Sequence, residues 1–153
     1  MVADSHQPCH AGSLYVEGIF PEGDRGAISI PTKQGRNLHA LWDGLLGGRY
    51  DAGDITRRAK EIRNDKNAWQ KAQAAGTTLE PLEWLRESSE FGKAYVYTPE
   101  VLSTVEAAQR SGAEKVEVVD LPETYLKAAG SLAQKRAAFA AHRLAAILSE
   151  DLK

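Results

Sequence analysis

From Asn37 onward the apolar positions recur at three- and four-residue intervals, the period of a helix with one buried face. Leu38, Leu41, Trp42, Leu45 and Leu46 form the first such set, and Gly47-Gly48 closes it. Asp54 can cap a second helix running to about Ala75, with Ile55, Ala59, Ile62 and Trp69 as a sparser apolar face. A third helix is predicted from Pro81, a residue suited to a first turn, through Leu82, Leu85, Ser89 and Gly92 to Tyr95 or Val96. Thr98-Pro99-Glu100 opens a shorter helix to about Arg110, and Lys115 to Val119 reads as a brief extended stretch. The last helix is predicted from Pro122 to about Glu150, with Tyr125, Ala129, Leu132, Phe139, Leu144 and Ile147 near one face. The fold class is therefore all-α, with no internal repeat.

Residues 11 to 36 break this pattern. Gly12, Gly18, Gly23, Gly26 and Gly35, with Pro21 and Pro31, oppose any long helix and leave a loop with room for a short hairpin around Ala27 to Ile30. So long a loop within a compact domain implies a task, such as carrying ligands or covering a site.

Composition narrows the class without naming a function. At 153 residues the chain suits one domain with its own core. A hydrophobic fraction of 42% and a charged fraction of 26% are those of a globular protein, and no apolar run is long enough to span a bilayer. A net charge of -2 provides no global attraction to nucleic acid, so phosphate chemistry would need local cations. The single cysteine, Cys9, excludes an intramolecular disulfide. No signal peptide is visible after Met1.

The candidate chemistry lies on either side of the loop. Three of the four histidines fall in the first 39 residues, close to carboxylates: Asp4-Ser5-His6-Gln7-Pro8-Cys9-His10, then Asn37-Leu38-His39-Ala40-Leu41-Trp42-Asp43. His39 and Asp43, four apart on a helix, project from one face about 6 Å apart along the axis and can chelate one ion. His10 can add a third ligand, and a zinc site with three protein ligands leaves a position for water or substrate. On spacing alone a plain hydrogen-bonded His39–Asp43 pair on a helix surface is the better account. The added His10 and Asp4, and the words around them, move the balance to a metal. His6 reads either as a group supporting the site or as an ordering residue of the turn, Cys9 as a small buried neighbour, and His142 as packing. Trp42, Trp69 and Trp84 sit at core-packing positions, although any of them could stack a base. Arg25, Lys33 and Arg36 decorate the loop, where either phosphates or solvent would suit them.

The words around these residues carry more than their spacing. Ala3-Asp4-Ser5-His6-Gln7-Pro8-Cys9-His10 and Asn37 to Asp43 resemble the Gly-Asp-x-His-Gln-Pro-Leu-His and Asn-Leu-His-x-x-Trp-Asp segments of the zinc-dependent single-strand nucleases of the S-one/P-one type, relatives of zinc-dependent phospholipase C. Glu83-Trp84-Leu85-Arg86-Glu87-Ser88 and Ala141-His142-Arg143-Leu144-Ala145 are similar to later segments of that family, so the likeness runs in order from near Met1 to about Leu148. The resemblance implies a helical phospholipase C/nuclease-like fold in which His10, His39 and Asp43 hold one zinc and Asp4 bridges the other two of a trinuclear cluster. It also implies hydrolysis of single-stranded DNA or RNA to 5′-nucleotides by a secreted or periplasmic protein, with the metals polarising phosphoryl oxygens and activating water.

Departures set limits on that expectation. The family takes further ligands from an N-terminal tryptophan, a nearby histidine, an aspartate and histidine in its N-terminal half, and a histidine four residues before the aspartate matched by Asp4. None of these has a counterpart here. The family's Asp-x-Gly-Gly-Asn loop word appears as Asp24-Arg25-Gly26-Ala27-Ile28, without the second glycine and the asparagine, and Cys9 replaces a leucine. Residues 1–153 are accordingly expected to form the C-terminal portion of a single nuclease-like domain, N-terminally truncated, with one complete three-ligand zinc site. The alternatives are a catalytically incomplete zinc-binding helical module and a phospholipase C-like hydrolase.

Overall fold

A computed structural model describes residues 1–48 and 51–152. Among them are six α-helices and no β-strand: α1 (Leu38–Gly44), α2 (Ala52–Asn64), α3 (Lys66–Ala75), α4 (Pro81–Phe91), α5 (Pro99–Ser111) and α6 (Glu123–Asp151). The expected all-α class is therefore found, and Pro81, Pro99 and Pro122 stand at the three helix starts assigned to them. Near the N-terminus lie two short 3-10 turns, Asp4–His6 and Pro8–Ala11.

The helix expected over 54 to 75 is instead two helices. Asp65 leaves helical geometry with ψ 86°, and its carboxylate caps α3 by accepting from the Ala68 amide at 3.0 Å. The α2 cap is Asp51 rather than Asp54, and α2 has no buried residue; its Ile55 is 52% exposed. Helix α4 continues into a π-helical turn, Gly92–Val96, where the Gly92 position for a Cβ lies 3.3 Å from the Pro8 carbonyl oxygen. That close approach brings the π-turn against the N-terminal turns, and a side chain at Gly92 would force the two apart.

The core lies beneath the long loop, between α1, α5 and the first half of α6. Phe20, Ala27 and Ile30 from the loop meet Leu38 and Trp42 of α1, Val101 and Val105 of α5, and Leu132 of α6. The loop is held by its own polar groups as well. Buried Asp24 accepts from the Ser13 hydroxyl at 3.0 Å, the Leu14 amide at 2.9 Å and the Tyr97 hydroxyl at 3.1 Å. Burial, and then the Asp24 charge, push the Tyr97 phenol far above its ordinary value, so it stays a donor. The hairpin expected at Ala27 to Ile30 is not formed; the local bridges lie at Val16–Phe20 and Thr32–Gly35. The stretch read as extended, 115 to 119, contributes a single parallel bridge from Val119 to Thr32.

Trp42 Nε1 donates to the Tyr125 hydroxyl at 2.9 Å, and that hydroxyl donates to the Val96 carbonyl at 3.2 Å. This buried chain fixes α1 against α6 and the π-turn. All three tryptophans serve packing: Trp84 is buried with Nε1 on the Thr78 carbonyl at 2.7 Å, and Trp69 packs on His142 at 4.2 Å between ring centres.

Candidate metal centre

Asn37 starts α1 by accepting from the Ala40 amide at 2.8 Å. With that start fixed, Leu38 and Trp42 turn into the core and the adjacent face carries His39 and Asp43 outward. The N-terminal turn delivers His10 to the same spot. His10 Nε2 and His39 Nε2 approach to 3.2 Å, with Asp43 carboxylate oxygens 4.0 Å from the first and 3.5 Å from the second. The three ligand atoms lie within 4.8 Å of one another. Their side chains are 28%, 17% and 52% exposed, so the cluster is open to solvent on one side.

The far nitrogen of each imidazole is already engaged. His10 Nδ1 lies 3.0 Å from the Asp4 carbonyl oxygen, and His39 Nδ1 lies 2.7 Å from the Gly26 carbonyl oxygen. A carbonyl only accepts, so each Nδ1 carries a proton, and in a neutral ring the Nε2 then presents a lone pair. Two such nitrogens 3.2 Å apart beside a carboxylate are held together either by a proton shared between them or by a cation bound among the three groups. The donor set, two imidazoles and a carboxylate, is the kind that holds zinc with one position left open.

The backbone has been bent to supply these acceptors. Arg25, Gly26 and Ala27 have φ of 62°, 63° and 69°, a left-handed turn that aims the Gly26 carbonyl at the His39 ring and the Ala27 carbonyl at the His39 amide, 3.3 Å away. Only glycine fits at position 26, because a Cβ there would lie 2.3 Å from the Cys9 carbonyl oxygen. Ala27 adopts the same conformation with a Cβ, at a cost of about 1–2 kcal/mol, and buries it completely.

Asp43 is oriented by Gln7, whose Nε2 donates to Asp43 Oδ1 at 3.0 Å while its Oε1 accepts from the Cys9 amide at 2.5 Å. Gln7 has no metal-binding chemistry to mark it in the sequence; its place in the His-Gln-Pro word is the available signal. Asp4 stands outside the three-residue cluster. Its carboxylate is 70% exposed and lies 3.2 Å from His10 Nδ1, on the side of the ring away from His39. Cys9 is buried, and burial pushes its thiol up to about 12, so it is a packing group beside the site.

His6 takes the ordering role. It is buried, with Nδ1 2.6 Å from the Val2 carbonyl oxygen and Nε2 2.8 Å from Arg143. Burial, helped by the Arg136 and Arg143 charges, lowers its pKa to about 4, which keeps Nε2 as an acceptor for the guanidinium. Lys33 is bound to Asp120 at 2.7 Å, which matches the solvated-loop reading for that residue.

A model of the S1/P1 nuclease family matches residues 1–153, from the first ligand turn to the end of α6. The chain belongs to the S1/P1 nuclease family. That is a family of hydrolases acting on nucleic acid, and it uses zinc. No curated protein and no solved structure is a significant match. In this S1/P1 nuclease family member, two of the four segments that carry the resemblance, Ala3 to His10 and Asn37 to Asp43, converge on the cluster. No helix among the described residues is long and apolar enough to cross a membrane.

Proposed function

We propose that this S1/P1 nuclease family member hydrolyses phosphodiester bonds of single-stranded nucleic acid to 5′-nucleotides, with zinc held by His10, His39 and Asp43. The observation that carries the reading is the meeting of two imidazole Nε2 atoms at 3.2 Å with both Nδ1 atoms committed to carbonyls. Zinc, when bound, supplies a Lewis acid for a phosphoryl oxygen and lowers the pKa of a bound water. The chain's own residues prepare its seat. The Asp4 and Gly26 carbonyls hold a proton on each Nδ1, and Gln7 fixes the carboxylate of Asp43.

An apolar cleft of about 370 Å³ opens beside Asp43 and Gln7, walled by Trp42, Leu46 and the alanine-rich face of α6. It offers substrate a route to the exposed side of the cluster. Asp4, exposed and carrying two oxygens, is proposed as the bridge to further zinc ions, as in the trinuclear family site. The described residues hold a single three-residue group of metal-binding reach, so those ions need donors from outside it. We further propose that the working protein is exported, as S1/P1 nucleases generally are; recovery of the protein only from the cytosolic fraction of its source would contradict this.

The single group also favours a second reading, a zinc-binding module without hydrolytic activity. Zinc-loaded protein incubated with single-stranded DNA, single-stranded RNA and phosphatidylcholine vesicles separates the readings. Release of 5′-nucleotides from the nucleic acids, abolished in His39→Ala and much reduced in Asp4→Asn with the zinc at His10, His39 and Asp43 still bound, is the expected result. Zinc binding with no cleavage of any substrate selects the module, and cleavage confined to the vesicles selects a phospholipase.

A further inference from the structure

Arg136 and Arg143 are 3% and 0% exposed. Burying a guanidinium is costly unless its donors and its charge are met, so two adjacent burials call for an explanation. Glu87 of α4 meets both. Its Oε1 and Oε2 accept from Arg143 at 2.7 and 2.8 Å as a paired fork, and Oε2 also accepts from Arg136 at 3.0 Å. Arg136 lies over the Phe91 ring and Arg143 over the Trp84 ring, at 5.1 and 5.4 Å. The cluster thus joins α4 to α6.

What it holds is the backbone of the ligand turn. Arg136 Nε donates to the His6 carbonyl at 3.1 Å, and a second Arg136 nitrogen donates to Ser88 Oγ at 2.7 Å. Ser88 Oγ in turn donates to the Ser5 carbonyl at 2.6 Å, and Arg143 meets the His6 ring at 2.8 Å. Residues 5 and 6 are therefore gripped from the protein interior. Residues 4 and 7, on either side, orient two of the three metal ligands: the Asp4 carbonyl holds His10, and the Gln7 amide holds Asp43. A displacement of the gripped pair moves both orienting groups together.

We propose that Glu87 is a positioning residue for the metal centre, setting zinc affinity through Arg136, Arg143 and the Asp4–Gln7 turn without touching the metal. The inference rests on the reading of His10, His39 and Asp43 as zinc ligands. A glutamine at 87 could accept hydrogen bonds, but it could not balance two buried cations. The guanidiniums would then shift toward solvent, releasing the His6 carbonyl and the Ser88 hydroxyl that holds the Ser5 carbonyl. Orienting partners of metal ligands typically govern affinity by about 10- to 100-fold.

The test measures the zinc dissociation constant by competition with a chromophoric chelator, and the visible absorption of the cobalt-substituted protein, for the wild type, Glu87→Gln and Ser88→Ala. Both are read well below the unfolding midpoint. The expected result is zinc binding at least about tenfold weaker in Glu87→Gln and several-fold weaker in Ser88→Ala, each with a shifted cobalt band. A purely structural role would lower the unfolding midpoint and leave the constant and the band of the folded protein as in wild type, and that outcome overturns the proposal. If Glu87→Gln does not fold, Ser88→Ala decides by the same criteria. A wild type that binds no zinc instead overturns the metal reading itself, so the two failures are distinct.

Discussion

At the scale of single residues, the proposed metal centre depends on groups outside its three candidate ligands. The Gly26 carbonyl fixes the His39 ring, and its position depends on a backbone with φ 63° pressed against the Cys9 carbonyl. Gly26→Ala places a Cβ 2.3 Å from that oxygen in a conformation that side chains avoid. We expect it to destabilise the protein by at least about 2 kcal/mol and to weaken zinc binding, because both His10 and His39 adjoin the displaced backbone. Urea unfolding of metal-free protein checks the first effect; a loss under about 0.5 kcal/mol would mean that the turn relaxes freely. The three candidate ligands, His10, His39 and Asp43, were legible in the sequence because their side-chain types carry the chemistry, and the fold brings them together. Gln7 and Gly26 were less so, since an amide that orients a carboxylate and a carbonyl that holds a ring leave no type signature. Ala27, in a left-handed position where the family has glycine, shows that this turn is held by its surroundings rather than by its residue alone.

At the scale of elements, α1 presents the site, while α4 and α6 brace the turn that faces it. Helices α4, α5 and α6 were readable from proline starts and apolar period, because those signals are local. The break between α2 and α3 was not, because Asp65 stops one helix only by capping the next. The tie between α4 and α6 was hidden for a different reason. Glu87, Arg136 and Arg143 are charged residues that pattern reading assigns to the surface, and only the fold brings them together. Burial raises the Glu87 carboxyl, but hydrogen bonds from Arg143 and Arg136 outweigh that effect and hold it below its ordinary value. A carboxyl lowered on folding contributes stability that is complete above its unfolded pKa, near 4.5, and disappears as pH falls through the lower folded value. The stability difference between metal-free wild type and Glu87→Gln should therefore be constant above about pH 5 and shrink below about pH 4.5. Urea unfolding across this range checks it. A difference that grows on acidification would reverse the assigned sign.

At the scale of the whole molecule, the long loop is the feature that makes one centre from two distant words. Phe20, Ala27 and Ile30 bury it, Asp24 ties it internally, and its left-handed turn hands a carbonyl to His39. The fold around it places His10 from the N-terminal turn against His39 and Asp43 from α1, and the family match spans the same residues. The central claim is that these three side chains form a metal centre rather than a surface hydrogen-bonded pair. Equilibrium dialysis against buffered zinc, with metal counted per folded chain, tests it most directly. The account predicts one tightly bound zinc in the wild type, and well under one in His39→Ala and in Asp43→Ala with helical content unchanged. Well under one zinc in the wild type, or one zinc retained after His39→Ala, would contradict it.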